Sequence, residues 1–299
     1  MNAMTSSKKL VDTQAVLACN ICGSAQIQKV EPDFNLCRCN LCGYVFDNPR
    51  PSFAEISAFY SQAGKYDVWL KEEQARDMLW KRRLTKLLQA GARGRLLDIG
   101  AGYGQFLHHA QPFFSDVTGT EVSQSAVALA KQKYRLSLLA GQIEELDLPP
   151  QSFDTITLFH VLEHVLDPCM LINRCRALLR AQGTLIIAVP NDILAWTSAI
   201  KKIGKKLGLR SFQKFSPKLG ISRAGASREI HLSHFTPAVL RRLLENCGLH
   251  IMEESLDPYY VSRGLRLGLD SAYYAAHSVL NATLKINGYD TIWVVARKP

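Results

Sequence analysis

The sequence predicts an α/β fold: a mostly parallel sheet covered by helices on both faces, preceded by a small cysteine-rich module. Three observations carry this. From Arg95 onward, short apolar runs alternate with amphipathic stretches, the strand, helix, strand order that builds parallel sheets. Five of the eight cysteines fall between Cys19 and Cys42, too uneven for a disulfide scaffold and suited to a metal in a reducing compartment. A length of 299 residues with 47% hydrophobic content leaves room for a substantial core beside that module.

In chain order, residues 1–16 read as a disordered tail; Met1 to Leu10 is polar, with no apolar run before a small-residue cleavage site. Residues 17–52 read as a compact, loop-rich module. Asn48-Pro49-Arg50-Pro51 closes it, because two prolines continue neither a ladder nor a helix. Residues 53–92 read as a helical connector: Leu70, Leu79, Trp80, Leu84, Leu87 and Leu88 recur at helical spacing between Trp69 and Gln89, and Gly91 stops the helix. Residues 93–299 form the main domain. Its strands are expected at Arg95 to Ile99, Val117 to Glu121, Leu136 to Leu139, Phe153 to Phe159 and Thr184 to Val189, with helices near Gln105 to Gln111, Ser125 to Lys133 and Pro168 to Arg180. A basic insert at 193–228 interrupts this domain. A helix at Pro237 to Cys247, a strand near Leu249 to Ser255, an amphipathic stretch and a last strand at Thr291 to Ala296 follow it.

Two blocks nearly repeat: Cys19-Asn20-Ile21-Cys22-Gly23 and Cys39-Asn40-Leu41-Cys42-Gly43. Each Cys-x-x-Cys-Gly turn puts two sulfurs on one side of a tight knuckle, and the glycine accepts the backbone conformation that points amides at them. Cys19, Cys22, Cys39 and Cys42 together offer four soft ligands for a structural zinc. Cys37 stands outside the repeat and reads as a spectator, its alternative being a substitute ligand. Four buried thiols without metal fit poorly in a module with so little apolar core.

Leu96-Leu97-Asp98-Ile99-Gly100-Ala101-Gly102-Tyr103-Gly104 follows a strand and opens a helix. Gly100, Gly102 and Gly104 stand where backbone must approach a nucleotide-like ligand and turn sharply. Glu121 ends the next strand, placed to accept hydrogen bonds from ribose hydroxyls; without the glycine loop it would read as a solvated strand-end acid.

This segment resembles the class I S-adenosylmethionine-dependent methyltransferases, whose first motif is an acid followed by glycines at alternate positions. The resemblance covers Arg95 to Pro190 and continues through Gly141-Gln142-Ile143-Glu144, Phe153-Asp154 and Leu158-Phe159-His160-Val161-Leu162-Glu163-His164. It implies a Rossmann-like, seven-stranded, mostly parallel sheet whose last strand is antiparallel. It also implies S-adenosylmethionine across the carboxyl ends of the strands, with Asp98, Gly100, Gly102, Gly104, Glu121, Gln142, Ile143 and Phe159 as cofactor-binding candidates. Many members carry an acid where Gln142 stands, and this sequence departs from that pattern. The amino-terminal module resembles the zinc-ribbon head of bacterial methyltransferases associated with sugar, polysaccharide or secondary-metabolite pathways, through Arg38-Cys39 to Gly43, Asn48 to Pro51 and Phe59-Tyr60. A nicotinamide dehydrogenase also uses a glycine loop, but the His160 to His164 motif fits that class badly.

Methyl transfer from a sulfonium is an in-line displacement, so the protein aligns the two partners and, where needed, removes a proton from the acceptor. His160, His164, His231 and His234 are the candidate bases, because imidazole titrates near working pH. Each has a structural hydrogen-bonding role as its alternative, and Glu163 reads as an orienting group or a helix cap. An Asn-Pro-Pro-aromatic motif for planar amino groups is not found at Phe159 to Glu163. Cys169, Cys175 and Cys247 read as small core residues rather than nucleophiles.

The formal net charge of +10 is local. No acid lies between Asp192 and Glu229, where Lys201, Lys202, Lys205, Lys206, Arg210, Lys214, Lys218, Arg223 and Arg228 all fall. With Ile193, Leu194, Trp196, Ile200, Ile203 and Leu207 this segment reads as an amphipathic helix over the acceptor site or an anionic membrane surface, or as a solvated lid. The expected acceptor is a small molecule, a sugar or a lipid-linked compound. An RNA-binding or RNA-modifying protein is the rival, disfavoured because Lys29, Arg38 and Arg50 are scattered without interleaved aromatics. A catalytically inactive cofactor-binding homologue is a second rival, against which the intact glycine loop and Glu121 stand. No run of about 18 apolar residues occurs, so a cytoplasmic protein, free or peripheral to a membrane, is expected.

Overall fold

The computed structural model describes residues 12–30, 35–62, 70–195 and 230–299. Beyond its first three residues the expected basic insert lies outside them, up to residue 228, and so do all of its lysines.

The cysteine-rich module holds five short strands: β1 (Thr13–Gln14), β2 (Ile27–Lys29), β3 (Leu36–Cys39), β4 (Val45–Asp47) and β5 (Arg50–Pro51). β2, β3 and β4 pair antiparallel in succession. The expected tail of 1–16 needs correction at its end. Thr13 pairs with Pro51 and Gln14 with Arg50, while the Asn48 side chain bonds both the amide and the carbonyl of Val16. Asn48 thus acts there as a piece of strand, meeting backbone groups that would otherwise need water.

α1 (Phe53–Tyr60) begins at Ser52, whose hydroxyl accepts from the Glu55 amide. α2 (Glu73–Gln89) buries Ala75, Leu79, Leu84 and Leu87 along one stripe. There follow β6 (Arg95–Ile99), α3 (Gln105–Ala110), β7 (Asp116–Glu121), α4 (Gln124–Tyr134), β8 (Leu139–Ala140), β9 (Phe153–Phe159), α5 (Pro168–Leu178) and β10 (Leu179–Pro190). The chain ends with β11 (Ser233–His234), α6 (Pro237–Asn246), β12 (His250–Ser255), α7 (Leu265–Leu284) and β13 (Thr291–Arg297).

The main sheet has seven strands in the order β12-β13-β10-β9-β6-β7-β8. β10, β9, β6, β7 and β8 run parallel, and β13 runs antiparallel to both of its neighbours. Alternate residues feed two apolar layers, as the period of two requires. Leu97, Ile99, Ile156, Leu158, Leu185 and Ile187 face the layer of α5 and α6. Leu96, Ile186, Ala188, Trp293 and Val295 face that of α2 and α3. The strand expected at Leu136 to Leu139 shortens to Leu139–Ala140, because Leu136 and Leu138 turn into the second layer before the chain reaches the ladder.

β11 does not join the main sheet. It pairs antiparallel with β4, Ser233 opposite Phe46 and His234 opposite Val45, and so completes the four-stranded sheet of the cysteine module. Tyr44 and Phe46 enter the same apolar layer as Phe235 and Val239, so module and main domain share one core.

Candidate active site and cysteine cluster

β6 delivers the chain into the glycine loop at its carboxyl end. Gly100 and Gly104 hold φ of 71° and 81°, where L side chains are strained. A Cβ on Gly100 would lie 2.5 Å from Val161 Cγ2, and one on Gly104 2.7 Å from Leu136 Cδ1. The loop is tied to β7: the Gly102 amide donates to Glu121 Oε2 and the Ser123 amide to Oε1, each at 2.9 Å. A carboxylate has about four acceptor positions, so these two amides do not exhaust those of Glu121. Burial pushes the Glu121 pKa up against the pull of those amides. Asp98 is buried one strand inward, accepts from Thr157 Oγ1 at 2.6 Å, and is pushed up to about 7 by burial. Ile143 is buried near the loop that follows β8, where the Gly141 amide bonds the Glu121 carbonyl, while Gln142 donates to Glu145. Phe159 closes β9 with 7% of its surface exposed. Its ring packs against Trp80, Phe106 and Trp293 in the core layer of α2 and α3.

All four candidate histidines converge. His160 follows β9 with φ of 58°, an uncommon conformation fixed by its amide bonding the Ala188 carbonyl. Its Nδ1 lies 3.1 Å from Glu163 Oε1 and its Nε2 3.8 Å from Asp257 Oδ2. Burial opposes its protonation, but the Asp257 and Glu163 carboxylates prevail and raise its pKa. His164 Nδ1 donates to the Ile230 carbonyl at 2.6 Å, with Tyr60 Oη at 3.1 Å, and its Nε2 faces Glu163 Oε1 at 3.8 Å. His231 stands edge-on to His164, 4.9 Å between ring centres. Glu163, almost fully buried, is the hub. Burial alone would raise its pKa, yet His164, His160 and His231 hold it down. The Glu163 carbonyl also accepts the amides of Leu232 and Ser233, which seats the His231 to His234 segment on the cluster.

Three residues of this cluster escape a reading of sequence. Asp257 and Arg83 form a buried bidentate pair behind His160, Nε to Oδ1 at 2.9 Å. Burial works against the Asp257 carboxylate, but the Arg83 guanidinium and His160 hold its pKa well below the usual range. The available signal is Arg83 itself, an arginine placed between Leu79 and Leu87 at four-residue spacing on the buried stripe of α2. Asp192, just past β10, is the third, 3.4 Å from His231 Nδ1.

In the module, the Gly23 amide bonds the Cys19 carbonyl and the Gly43 amide the Cys39 carbonyl, so the two knuckles have the same turn. One sulfur from each of Cys19, Cys22, Cys39 and Cys42 lies within 4.8 Å of the others, with Cys19 to Cys42 and Cys22 to Cys39 at 3.5 Å. Bonds of about 2.3 Å to a tetrahedral zinc set sulfurs about 3.8 Å apart, close to these edges. The four cysteines therefore fit a zinc-ribbon module. Cys37 lies outside the cluster, its sulfur 3.9 Å from the Asn48 carbonyl.

No described helix is long and apolar enough to cross a membrane. A methyltransferase domain family model matches residues 72–254. A ubiquinone biosynthesis O-methyltransferase of Bradyrhizobium diazoefficiens is 34% identical over 122 residues, 39% of this chain and 47% of that protein. A protein of Mycolicibacterium smegmatis named "Probable S-adenosylmethionine-dependent methyltransferase" is 26% identical over 191 residues, 62% of this chain and 65% of its own length. The chain thus spans only about half to two thirds of these relatives. A SAM-dependent methyltransferase structure from Thermotoga maritima superposes with a TM-score of 0.52 at 16% identity, covering 81% of this chain and 98% of that one, which shows a shared fold. With the family model matched over more than half of its length, on a seven-stranded sheet with its glycine loop at the carboxyl end of β6, the chain belongs to the methyltransferase domain family.

Proposed function

We propose that this protein moves a methyl group from S-adenosylmethionine to a small-molecule, sugar or lipid-linked acceptor. The observation that carries the reading is one juxtaposition. The glycine loop with Glu121, and the cluster of four histidines at Glu163 and Asp192, gather at the carboxyl ends of β6, β9 and β10, where ligands of such sheets bind.

S-adenosylmethionine supplies an electrophilic methyl when bound. Glu121 would hold the ribose, and it keeps the loop amides in place. His160 and His164 are the proton acceptors of this reading. His160 lies between two carboxylates that stabilise its charged form, and the bond from His164 Nδ1 to Ile230 leaves the lone pair on Nε2, toward Glu163. Arg83 and Asp257 position His160 from behind. Asp192 and Ile230, on either side of the basic run, both meet the cluster, which supports an acidic or anionic-surface acceptor. A structural zinc on Cys19, Cys22, Cys39 and Cys42 belongs to the same reading, supported by the spacing of the sulfurs.

The test is transfer of labelled methyl from S-adenosylmethionine into separate pools of nucleotide sugars, lipid extract and total RNA. Label in the sugar or lipid pool is expected. Label in RNA alone overturns the acceptor class, and binding of NADH without binding of S-adenosylmethionine overturns the reaction.

A further inference from the structure

Asp192, His231 and His234 form a group of their own beside the Glu163 hub. Asp192 Oδ2 lies 3.4 Å from His231 Nδ1 and 3.7 Å from His234 Nδ1, and one donor atom from each residue lies within 4.8 Å of the other two. The three are fixed from different directions. Asn191 bonds the Asp290 carbonyl through its amide and the Tyr289 carbonyl through its side chain, anchoring Asp192 at the end of β10. His234 is held in register on β4, and the amides between the two histidines are held by Glu163.

His234 is 1% exposed, yet neither of its ring nitrogens has a hydrogen-bond partner among the described residues. A neutral imidazole carries one N–H and one lone pair, and leaving such a group buried and unbonded is unfavourable. The contact to Asp192 at 3.7 Å is beyond hydrogen-bond range. It suits two donors that share an ion. Nitrogen and oxygen ligands at about 2.1 Å from a tetrahedral ion stand about 3.4 Å apart, and the two distances to Asp192 Oδ2 lie at that edge and slightly above it.

We propose that Asp192, His231 and His234 bind a divalent first-row transition ion at the carboxyl end of β10. Two imidazoles and one carboxylate suit zinc, iron or manganese better than magnesium or calcium, which take oxygen sets. Three protein ligands leave a coordination position open, and the Asp192 side chain keeps 19% of its surface exposed. An acceptor oxygen occupies the open position in the methyl-transfer reading; that role rests on the reading, whereas the ion site does not.

Cobalt(II) is the probe, added to the full chain with the cysteine cluster already filled with zinc. One equivalent is expected to bind with the weak visible bands of a nitrogen and oxygen site and no sulfur charge-transfer band. Asp192→Asn and His234→Gln are expected to raise its Kd more than about 100-fold, beyond the loss typical of an outer-shell partner. His250→Gln, at an exposed histidine of β12, should leave it unchanged. Binding of S-adenosylhomocysteine, measured on each variant, reports whether the main domain is folded; Asp192→Asn is the milder change where His234→Gln is not. Absence of the cobalt bands, bands with sulfur character only, or bands that survive Asp192→Asn overturn the site. Loss of S-adenosylhomocysteine binding by the unaltered chain strikes the methyl-transfer reading instead.

Discussion

His234 lies opposite Val45 in the pairing of β11 with β4, so an imidazole of the candidate site hangs on the sheet of the cysteine module. The Tyr44 hydroxyl and the Ser233 hydroxyl bond across the same seam, and the Asp47 amide bonds the Leu232 carbonyl. The module therefore holds one wall of the site, while the glycine loop is held by Thr120 and Glu121, neither of which belongs to it.

Opening the cysteine cluster should uncouple these two halves. Cys39→Ser is expected to lower methyl transfer about 10- to 100-fold, the range for losing a supporting shell, while S-adenosylhomocysteine binding by calorimetry holds. Loss of both together would mean that the module supports the whole fold.

Asp257→Asn should be among the most damaging single changes, because it leaves the Arg83 guanidinium buried without its charge partner. Breaking such a pair costs about 3–5 kcal/mol, read as a drop in unfolding free energy at neutral pH. The folded pKa of Asp257 lies below its unfolded value. Its stabilisation is present above about pH 4 and is lost as pH falls through the folded value, so the gap to the variant closes in strong acid. The same change withdraws a carboxylate from His160. The acid limb of the pH–rate profile should then move to lower pH, where a purely structural role would leave it in place.

Asp98 predicts the opposite slope. Its pKa of about 7 in the folded chain exceeds the unfolded value of about 3.9. Its contribution is present below that unfolded value and lost as pH rises through about 7. Asp98→Asn can still accept from Thr157 but no longer ionises. Denaturant unfolding across that range should show a smaller fall in stability for the variant than for the unaltered chain.

Gly100→Ala should weaken S-adenosylhomocysteine binding at least about tenfold, since left-handed backbone costs about 1–2 kcal/mol with a Cβ and this Cβ also strikes Val161. Gly248→Ala is the control. Its φ is 72° and its nearest neighbour is the flexible Arg176 side chain, so it should cost stability but not cofactor affinity.

Much of this protein is local in the chain, and to that extent the sequence determined it alone. The alternation of Leu96 and Leu97 between two layers, the stripe of Leu79, Leu84 and Leu87, the glycines after β6 and the two knuckles all follow from periodicities or turns a few residues long. Those features settle which face is apolar and where the chain turns, because they depend only on backbone geometry and the order of side chains. Even so, local pattern has a limit: it does not say that the Phe159 ring, at the end of β9, packs against Phe106 and Trp293.

Tertiary structure alone decided which distant groups meet. Arg83 and Asp257 are 174 positions apart, Tyr44 and Ser233 are 189 apart, and no short-range pattern encodes either partnership. Strand β11 is two residues long, too short to carry a periodic signal, yet its pairing with β4 brings His234 to Asp192. Such contacts form only where burial excludes water and each polar group must find a partner inside the protein. The histidines were visible in the sequence as candidates, and the carboxylates that set their charge became visible once the chain was folded.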